Sequence, residues 1–331
     1  MNKKPNVALV GATGVVGRTF LKVLEERDFP FENLYIMASA KSAGTTITFK
    51  GRDYVVEELT ENSFDKDIDI ALFSAGGPVS EKFAPIAASH GVTVVDNSSR
   101  WRMDPQVPLI VPEVNPEDIE WNRGIIANPN CSTIQALVVL KPLHDKYTIK
   151  RVIYSTYQAV SGSGVNGISD LREGMAGRDQ TTAYPHPIAG NCLPHIDVFE
   201  DNGYTKEEMK MINETHKVLG EDIKVTATTV RVPVFDSHSE SINIEFEKPF
   251  EVDEVRSLLA NSPGIVVQDD PENNVYPLAR SAAGTDEVYV GRVRRDFSIE
   301  NGLNIWCVAD NIRKGAATNT IQIAETLIKQ A

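Results

Sequence analysis

Cysteine is scarce in this chain, with three residues, at 131, 192 and 307, among 331. That is too few for a disulfide scaffold and fits a reducing compartment. No run of about 18 apolar residues occurs, and Met1-Asn2-Lys3-Lys4-Pro5 leads into a short strand-like segment without the apolar stretch of a signal peptide. A cytoplasmic protein without a membrane segment is expected. Positive charge is also in short supply: 33 Lys and Arg against 46 Asp and Glu give a formal net charge of -13. Such a chain lacks the basic footprint of a nucleic-acid partner, so local basic groups must hold any anionic ligand. Metal-ligand clusters are missing as well. Cys192-Leu193-Pro194-His195 is a lone C-x-x-H, whereas a metal site needs three or four convergent ligands. No metal is expected, and Cys192 and Cys307 read as packing residues.

What is present is an ordered succession of elements. The length suggests roughly two domains. Val7 to Val10 reads as a strand, followed by a glycine turn and a helix with Val16, Phe20, Val23 and Leu24 on one face. Strand-like runs recur at Leu34 to Ala38, Ile70 to Ser74 and Val92 to Asp96, with a helical Ser80 to His90 before the last. This alternation predicts right-handed crossovers and a doubly wound, Rossmann-like parallel sheet. After Ile149 the texture changes to longer runs: Ile149 to Ala159, Ile223 to Val230, Ser241 to Phe246, Val288 to Val293 and Leu303 to Ala309. With helices at Lys206 to Leu219 and Val252 to Ala260, this half reads as α+β with a mainly antiparallel sheet. The apolar stripe of Ala316 to Lys329 predicts a last helix that returns to the first domain. The expected division is residues 1–130 plus 311–331, and 131–310.

Gly11-Ala12-Thr13-Gly14-Val15-Val16-Gly17 lies between the first strand and first helix, the context in which glycines let a backbone approach a pyrophosphate. Its spacing is G-x-x-G-x-x-G rather than G-x-G-x-x-G. At the end of the second strand, where an NAD enzyme places an acid for the ribose hydroxyl, the chain reads Ala38-Ser39-Ala40-Lys41-Ser42. Ser39, Lys41 and Ser42 suit a 2'-phosphate, so NADP is expected; an exposed surface lysine is the alternative.

Cys131 lies in Asn128-Pro129-Asn130-Cys131-Ser132-Thr133, where the strand-like Gly124 to Ala127 gives way to a helix with Ile134, Leu137, Val138 and Lys141 at amphipathic spacing. Unpaired N–H groups and the dipole at a helix start favour an anion and lower a cysteine pKa from about 8.5 toward roughly 3.5 to 7.5. A nucleophilic thiolate and a buried, inert cysteine both remain open on this local context.

Cys131 in that motif, Gln158 in Gln-Ala-Val-Ser-Gly-Ser-Gly, Arg231-Val232-Pro233 and His238-Ser239, all behind an N-terminal glycine loop, together resemble the aspartate-semialdehyde dehydrogenase family over nearly the full chain. The resemblance implies reduction of L-aspartyl 4-phosphate to L-aspartate 4-semialdehyde with NADPH and release of inorganic phosphate, in lysine/diaminopimelate, methionine and threonine biosynthesis. It implies Cys131 as nucleophile, His238 as general acid/base and Gln158 as the group orienting the acyl carbon. Arg231 would hold the substrate carboxylate, Arg100 and Lys210 its phosphate, and Glu207 its ammonium group, with Asn130 also at the substrate. Gly11, Thr13, Gly14, Val15, Val16, Gly17, Ser39, Lys41, Ser42, Ser161, Gly162 and Asn311 would contact the cofactor. A homodimer or homotetramer is implied. The nearest rival, N-acetyl-γ-glutamyl-phosphate reductase, typically carries Gly-Cys-Tyr-Pro-Thr, unlike Asn130-Cys131-Ser132-Thr133. Glyceraldehyde-3-phosphate dehydrogenase carries Ser-Cys-Thr-Thr-Asn-Cys, which is absent, and a cysteine hydrolase would leave the first 130 residues unexplained. A non-catalytic relative has no evident reason to keep Cys131, Gln158, Arg231 and His238 together.

Overall fold

The structure, a computed structural model, describes residues 4–330. The chain forms two compact units, one running up to Pro129 and resuming at Ala316, the other spanning Asn130–Gly315. In the first, β1 (Val7–Val10) leads through the glycine loop into α1 (Val15–Glu26) and β2 (Leu34–Ala38). A hairpin of β3 (Thr46–Phe49) and β4 (Arg52–Val55) follows, then β5 (Glu57–Glu58), β6 (Ile70–Phe73), α2 (Gly77–Ser89), β7 (Thr93–Asp96) and β8 (Ile125–Ala127). The hairpin escaped the sequence reading; its two-residue turn, Lys50-Gly51, has φ values of 46° and 72°, the left-handed pair a tight hairpin requires.

The sheet order is β5-β2-β1-β6-β7-β8, every pairing parallel. This is the doubly wound arrangement, in which ligands bind beyond the carboxyl ends of the strands where the order reverses, here around β1 and β6. β1 (VALV) and β6 (IALF) are buried at every position, as strands covered on both faces must be.

The second unit begins with α3 (Cys131–Tyr147), β9 (Ile149–Gln158) and α4 (Gly164–Met175), continues with α5 (Lys206–Leu219), β10 (Lys224–Arg231), β11 (His238–Phe246) and α6 (Val252–Ala260), and closes with β12 (Ile265–Val267), α7 (Ala279–Ala282), β13 (Val288–Asp296) and β14 (Gly302–Ala309). Its sheet runs β10-β9-β11-β14-β13-β12. The three central pairings are antiparallel, while β10 runs parallel to β9 and β12 to β13. The chain then forms α8 (Thr318–Gln330) in the first unit. There Ile321 and Ala324 join a core with Phe20, Leu24 and Leu9, and Arg27 grips Glu325 through two 2.7 Å hydrogen bonds.

α3 departs from its expected amphipathic pattern: every residue from Ser132 to Leu140 is buried. The cause is its position, with β9, β11, β13 and β14 under it and α5 and α6 beside it. Ser161 and Gly162 lie in a 3-10 turn (Val160–Ser163) that opens directly into α4.

Candidate active site

The glycine loop has the shape a phosphate cradle needs. Gly11 adopts φ +85°, and a Cβ there would lie 2.3 Å from the Ser74 carbonyl oxygen; one on Gly17 would lie 2.2 Å from the Gly11 oxygen. Only glycine lets the β1 loop, the β6 end and the α1 start approach so closely. Gly14 is the N-cap, so the N–H groups of Val15, Val16 and Gly17 have no acceptor within the helix. Thr13 and Ser42 bring their hydroxyls to 3.5 Å, which ties the loop after β1 to the loop after β2. Ser39 and Lys41 are exposed there. Arg18, which the sequence reading passed over, holds the Thr13 carbonyl oxygen with Nε at 3.3 Å.

Also in the first unit, Arg100 is partly exposed, pairs with Glu81 at 3.0 Å and lies 4.5 Å over the Trp101 ring. Arg102, two residues on, is buried and donates to the carbonyls of Asn128 and Asn97. The outer arginine reaches solvent and the inner one braces the loop.

In the second unit, Cys131 is the first residue of α3, and Asn130 is its N-cap. The Asn130 side-chain oxygen accepts from the N–H groups of Ser132 at 3.0 Å and Thr133 at 3.4 Å, while its amide nitrogen donates to Glu207 at 2.9 Å. The thiol thus sits at the dipole end that favours an anion. Gly315 packs against it: a Cβ there would lie 2.8 Å from the Cys131 Cβ.

Strand register aligns the other reactive groups. Arg231 is directly opposite Gln158 across β10 and β9, and the β9–β11 pairing carries His238 alongside Gln158. Ala159 fixes both flanking side chains through its peptide groups. Its N–H donates to His238 Nδ1 at 3.0 Å, and its carbonyl accepts from Arg231 Nη1 at 2.6 Å. Because Nδ1 accepts, the neutral imidazole carries its proton on Nε2. Complete burial, then the nearby Arg231 charge, hold His238 down to about 3 against the opposing pull of Glu207, so the ring is neutral at physiological pH. Arg231 also lies 5.9 Å over the Tyr184 ring. Gly162 fills the corner between them: a Cβ there would come within 2.8 Å of Arg231 Nη1 and 3.4 Å of His238 Cε1.

Glu207 is the hub of the polar contacts. Oε1 accepts from Asn130 and from Gln158 Nε2 at 3.1 Å, and Oε2 from Lys210 at 3.0 Å. Burial alone would raise its pKa, but the Lys210 charge and these hydrogen bonds hold it at about 2. A carboxylate offers about four acceptor positions, so one more donor can be received. Lys210, partly desolvated but held protonated by Glu207 and Asp197, also donates to Asp197 at 2.8 Å. Glu207 and Glu208 are both buried, so this stretch of α5 is not a solvated Glu/Lys face. Glu208 serves structure, accepting from the Thr205 and Thr229 N–H groups.

Ser161 and Asn311 meet through their side chains at 3.0 Å, and the Asn311 oxygen accepts from the Ser237 N–H at 2.9 Å, next to His238. Cys307 is buried as expected, but Cys192 is exposed rather than packed. Among the described residues no group of three His, Cys, Asp or Glu could hold a metal ion, and no helix is long and apolar enough to cross a membrane. Sequence reasoning missed Ala159, Asp197, Tyr184 and Gly315. Ala159 and Gly315 act through backbone or absence of bulk, and nothing in their side chains signals it.

Comparison with known proteins accounts for both units. Residues 6–122 match the semialdehyde dehydrogenase NAD binding domain and residues 140–314 the semialdehyde dehydrogenase dimerisation domain. The aspartate-semialdehyde dehydrogenase of Aquifex aeolicus is 59% identical, with 98% of each chain covered. Aspartate semialdehyde dehydrogenase II of Vibrio cholerae, solved in complex with ASA, matches with a TM-score of 0.95 and 48% identity over 99% of each chain. The Candida albicans enzyme solved with NADP matches with a TM-score of 0.79 and 27% identity over 98% of each.

Proposed function

Because the chain belongs to the aspartate-semialdehyde dehydrogenase family, we propose that it reduces L-aspartyl 4-phosphate to L-aspartate 4-semialdehyde, releasing inorganic phosphate, with NADPH. The observation that carries the assignment of roles is the row Arg231–Gln158–His238 beside the Glu207–Lys210 pair, which matches a substrate with an anionic end, an acyl centre and an ammonium group.

The Cys131 thiolate attacks the acyl carbon and phosphate departs, leaving a thioester, which lacks ester resonance and accepts hydride readily. NADPH, when bound, supplies that hydride. His238 donates from Nε2 to the acyl oxygen as charge develops there, and the free N–H of Gln158 helps to orient it. Collapse to the aldehyde returns Cys131 as thiolate. Arg231 receives the α-carboxylate, and the open acceptor position on Glu207 receives the α-ammonium. Lys210 and, on the resemblance, Arg100 receive the phosphate. The close-packed Gly11 and Gly17 cradle suits a pyrophosphate, and Lys41 with Ser39 and Ser42 suits the 2'-phosphate.

The outward face of the second sheet supports self-association. Tyr157 and Trp306 lie there with rings 5.5 Å apart, and Tyr276 and Leu278 are exposed beside them around a cavity of about 530 Å³. We infer a homodimer through this face; a tetramer would require a second surface.

The test runs the reaction backward, following NADPH absorbance on addition of aspartate semialdehyde, phosphate and NADP. Phosphate-dependent NADPH formation supports the reading. Activity with the N-acetylglutamate aldehyde instead would reassign the substrate. A Lys41→Ala variant that keeps full preference for NADP over NAD would remove Lys41 from the cofactor site.

A further inference from the structure

Both backbone edges of Arg231 are paired. β9 lies along one, with Gln158 opposite, and on the other Leu193 and Arg231 exchange two N–H···O bonds of 2.8 Å. The side chain is pinned at Nη1, which donates to the Ala159 carbonyl oxygen at 2.6 Å, and its guanidinium carbon lies 5.9 Å over the centre of the Tyr184 ring. Arg231 is only 5% exposed, yet its buried Nε–H has no hydrogen-bond partner. An unmet buried donor on a charged group is costly. Nε and Nη2 form the guanidinium edge away from Nη1, and such an edge takes a carboxylate through two parallel bonds. A pin at Nη1 alone leaves the plane of the group free to swing, and the Tyr184 ring is the surface that sets it.

Tyr184 is itself fixed. The segment 183–193 forms no helix or strand, but it is fastened to α4 and the turn before it. The Ala183 N–H donates to the buried Asp170 carboxylate at 2.7 Å, and the Tyr184 hydroxyl donates to the Val160 carbonyl oxygen at 3.4 Å. A Cβ on Gly167 would come within 2.5 Å of that hydroxyl, so α4 carries glycine where a helix interior favours alanine, and Tyr184 takes the space. The ring packs in a small cluster of its own with Val160, Leu171, Ile188 and Leu193. One segment thus holds the Arg231 backbone through Leu193 and the Arg231 side chain through Tyr184.

We propose that Tyr184 is a positioning residue that sets substrate affinity through Arg231, its ring holding the guanidinium plane so that the unpartnered Nε edge meets the α-carboxylate. A cation over an aromatic face is attracted to it, and an arginine already held there does not have to be ordered when the substrate binds. This rests on the reading of Arg231 as the group that receives the carboxylate.

The test follows NADPH formation from aspartate semialdehyde, phosphate and NADP in wild type, Tyr184→Phe, Tyr184→Leu, Arg231→Met and the double variant Arg231→Met/Tyr184→Leu. Phenylalanine keeps the ring face, so its KM for aspartate semialdehyde stays within about twofold of wild type, whereas leucine raises that KM about tenfold with kcat and the KM for NADP unchanged. Arg231→Met raises it about a hundredfold or more. Adding Tyr184→Leu to that variant raises it no further, because the ring acts through the arginine. A leucine variant with wild-type KM, a phenylalanine variant as impaired as leucine, or a double variant in which the two effects multiply overturns the proposal. So does a leucine variant whose loss falls on kcat or on NADP. Should the leucine variant not fold, Tyr184→Met, which refills the space, is held to the same results. An unchanged KM in Arg231→Met overturns the reading of Arg231 and the proposal together, while a raised KM there beside a wild-type KM in Tyr184→Leu overturns the proposal alone. Wild type that forms no NADPH removes the functional reading itself, and the proposal with it.

Discussion

Replacing Glu207 by glutamine removes a charge on which three donors converge. A carboxyl held at about 2, where its ordinary value is 4.5, is stabilised in the folded state by about 3 kcal/mol at neutral pH, taking about 1.4 kcal/mol for each tenfold change in proton affinity. Because the folded-state value is depressed, this contribution is complete above pH 4.5 and is lost as the pH falls through 2. Glu207→Gln is therefore expected to unfold in urea with a stability about 3 kcal/mol below wild type at pH 7 and at pH 5. The gap narrows at pH 4. The variant also leaves Lys210 paired with Asp197 and offers an N–H where Asn130, Gln158 and Lys210 all donate. A gap under about 1 kcal/mol at pH 7, or one that widens on acidification, would refute the view that Glu207 is an ionised hub.

Gly162→Ala puts a methyl group 2.8 Å from Arg231 Nη1; the KM for aspartate semialdehyde should rise about tenfold, with NADP affinity, read by fluorescence titration, unchanged. A loss of NADP affinity instead would make Gly162 a cofactor contact. In the glycine loop after β1, Gly11→Ala must be accommodated at φ +85° against the Ser74 carbonyl, whereas a Cβ on Gly14 meets only the Gly11 oxygen, at 3.5 Å. Gly11→Ala should abolish NADPH binding and Gly14→Ala weaken it by no more than a fewfold, as measured by calorimetry. Gly315→Ala presses on Cys131, at a cost of about 1 to 3 kcal/mol for overpacking. It should slow alkylation of Cys131 by iodoacetamide, measured by mass spectrometry of the Cys131 peptide. Trp306→Arg should shift sedimentation toward monomer if the outward sheet face is the dimer contact.

The parallel sheet was legible because β1, β6 and β7 are short apolar runs separated by a glycine turn and helical stretches, and burial on both faces makes such runs uninterrupted. The partners of β10 were not. Alternation along Lys224–Arg231 shows that one face is covered, but it carries no information on whether the neighbour runs parallel, and β9 lies about 65 residues earlier in the chain. Cys131, Gln158, Arg231 and His238 were legible as candidates since each carries its own chemistry in a compact local motif. Ala159 was not, because it contributes a peptide N–H and a carbonyl that any residue possesses. Glu207 and Glu208 are adjacent and chemically identical, and only the capping geometry at Thr205 separates the structural carboxylate from the one that faces Gln158.

β9 carries Thr156 and Gln158 on one side and Tyr157 on the other. Strand periodicity is two, so inserting or deleting a single residue in β9 would exchange the sides at every later position. The Gln158 amide would turn out to the surface and an aromatic ring would turn inward in its place. On the proposed reading, chemistry and self-association in this chain are thus written into alternate letters of one strand. Substitution can alter either one alone, but any change in the length of that strand alters both at once.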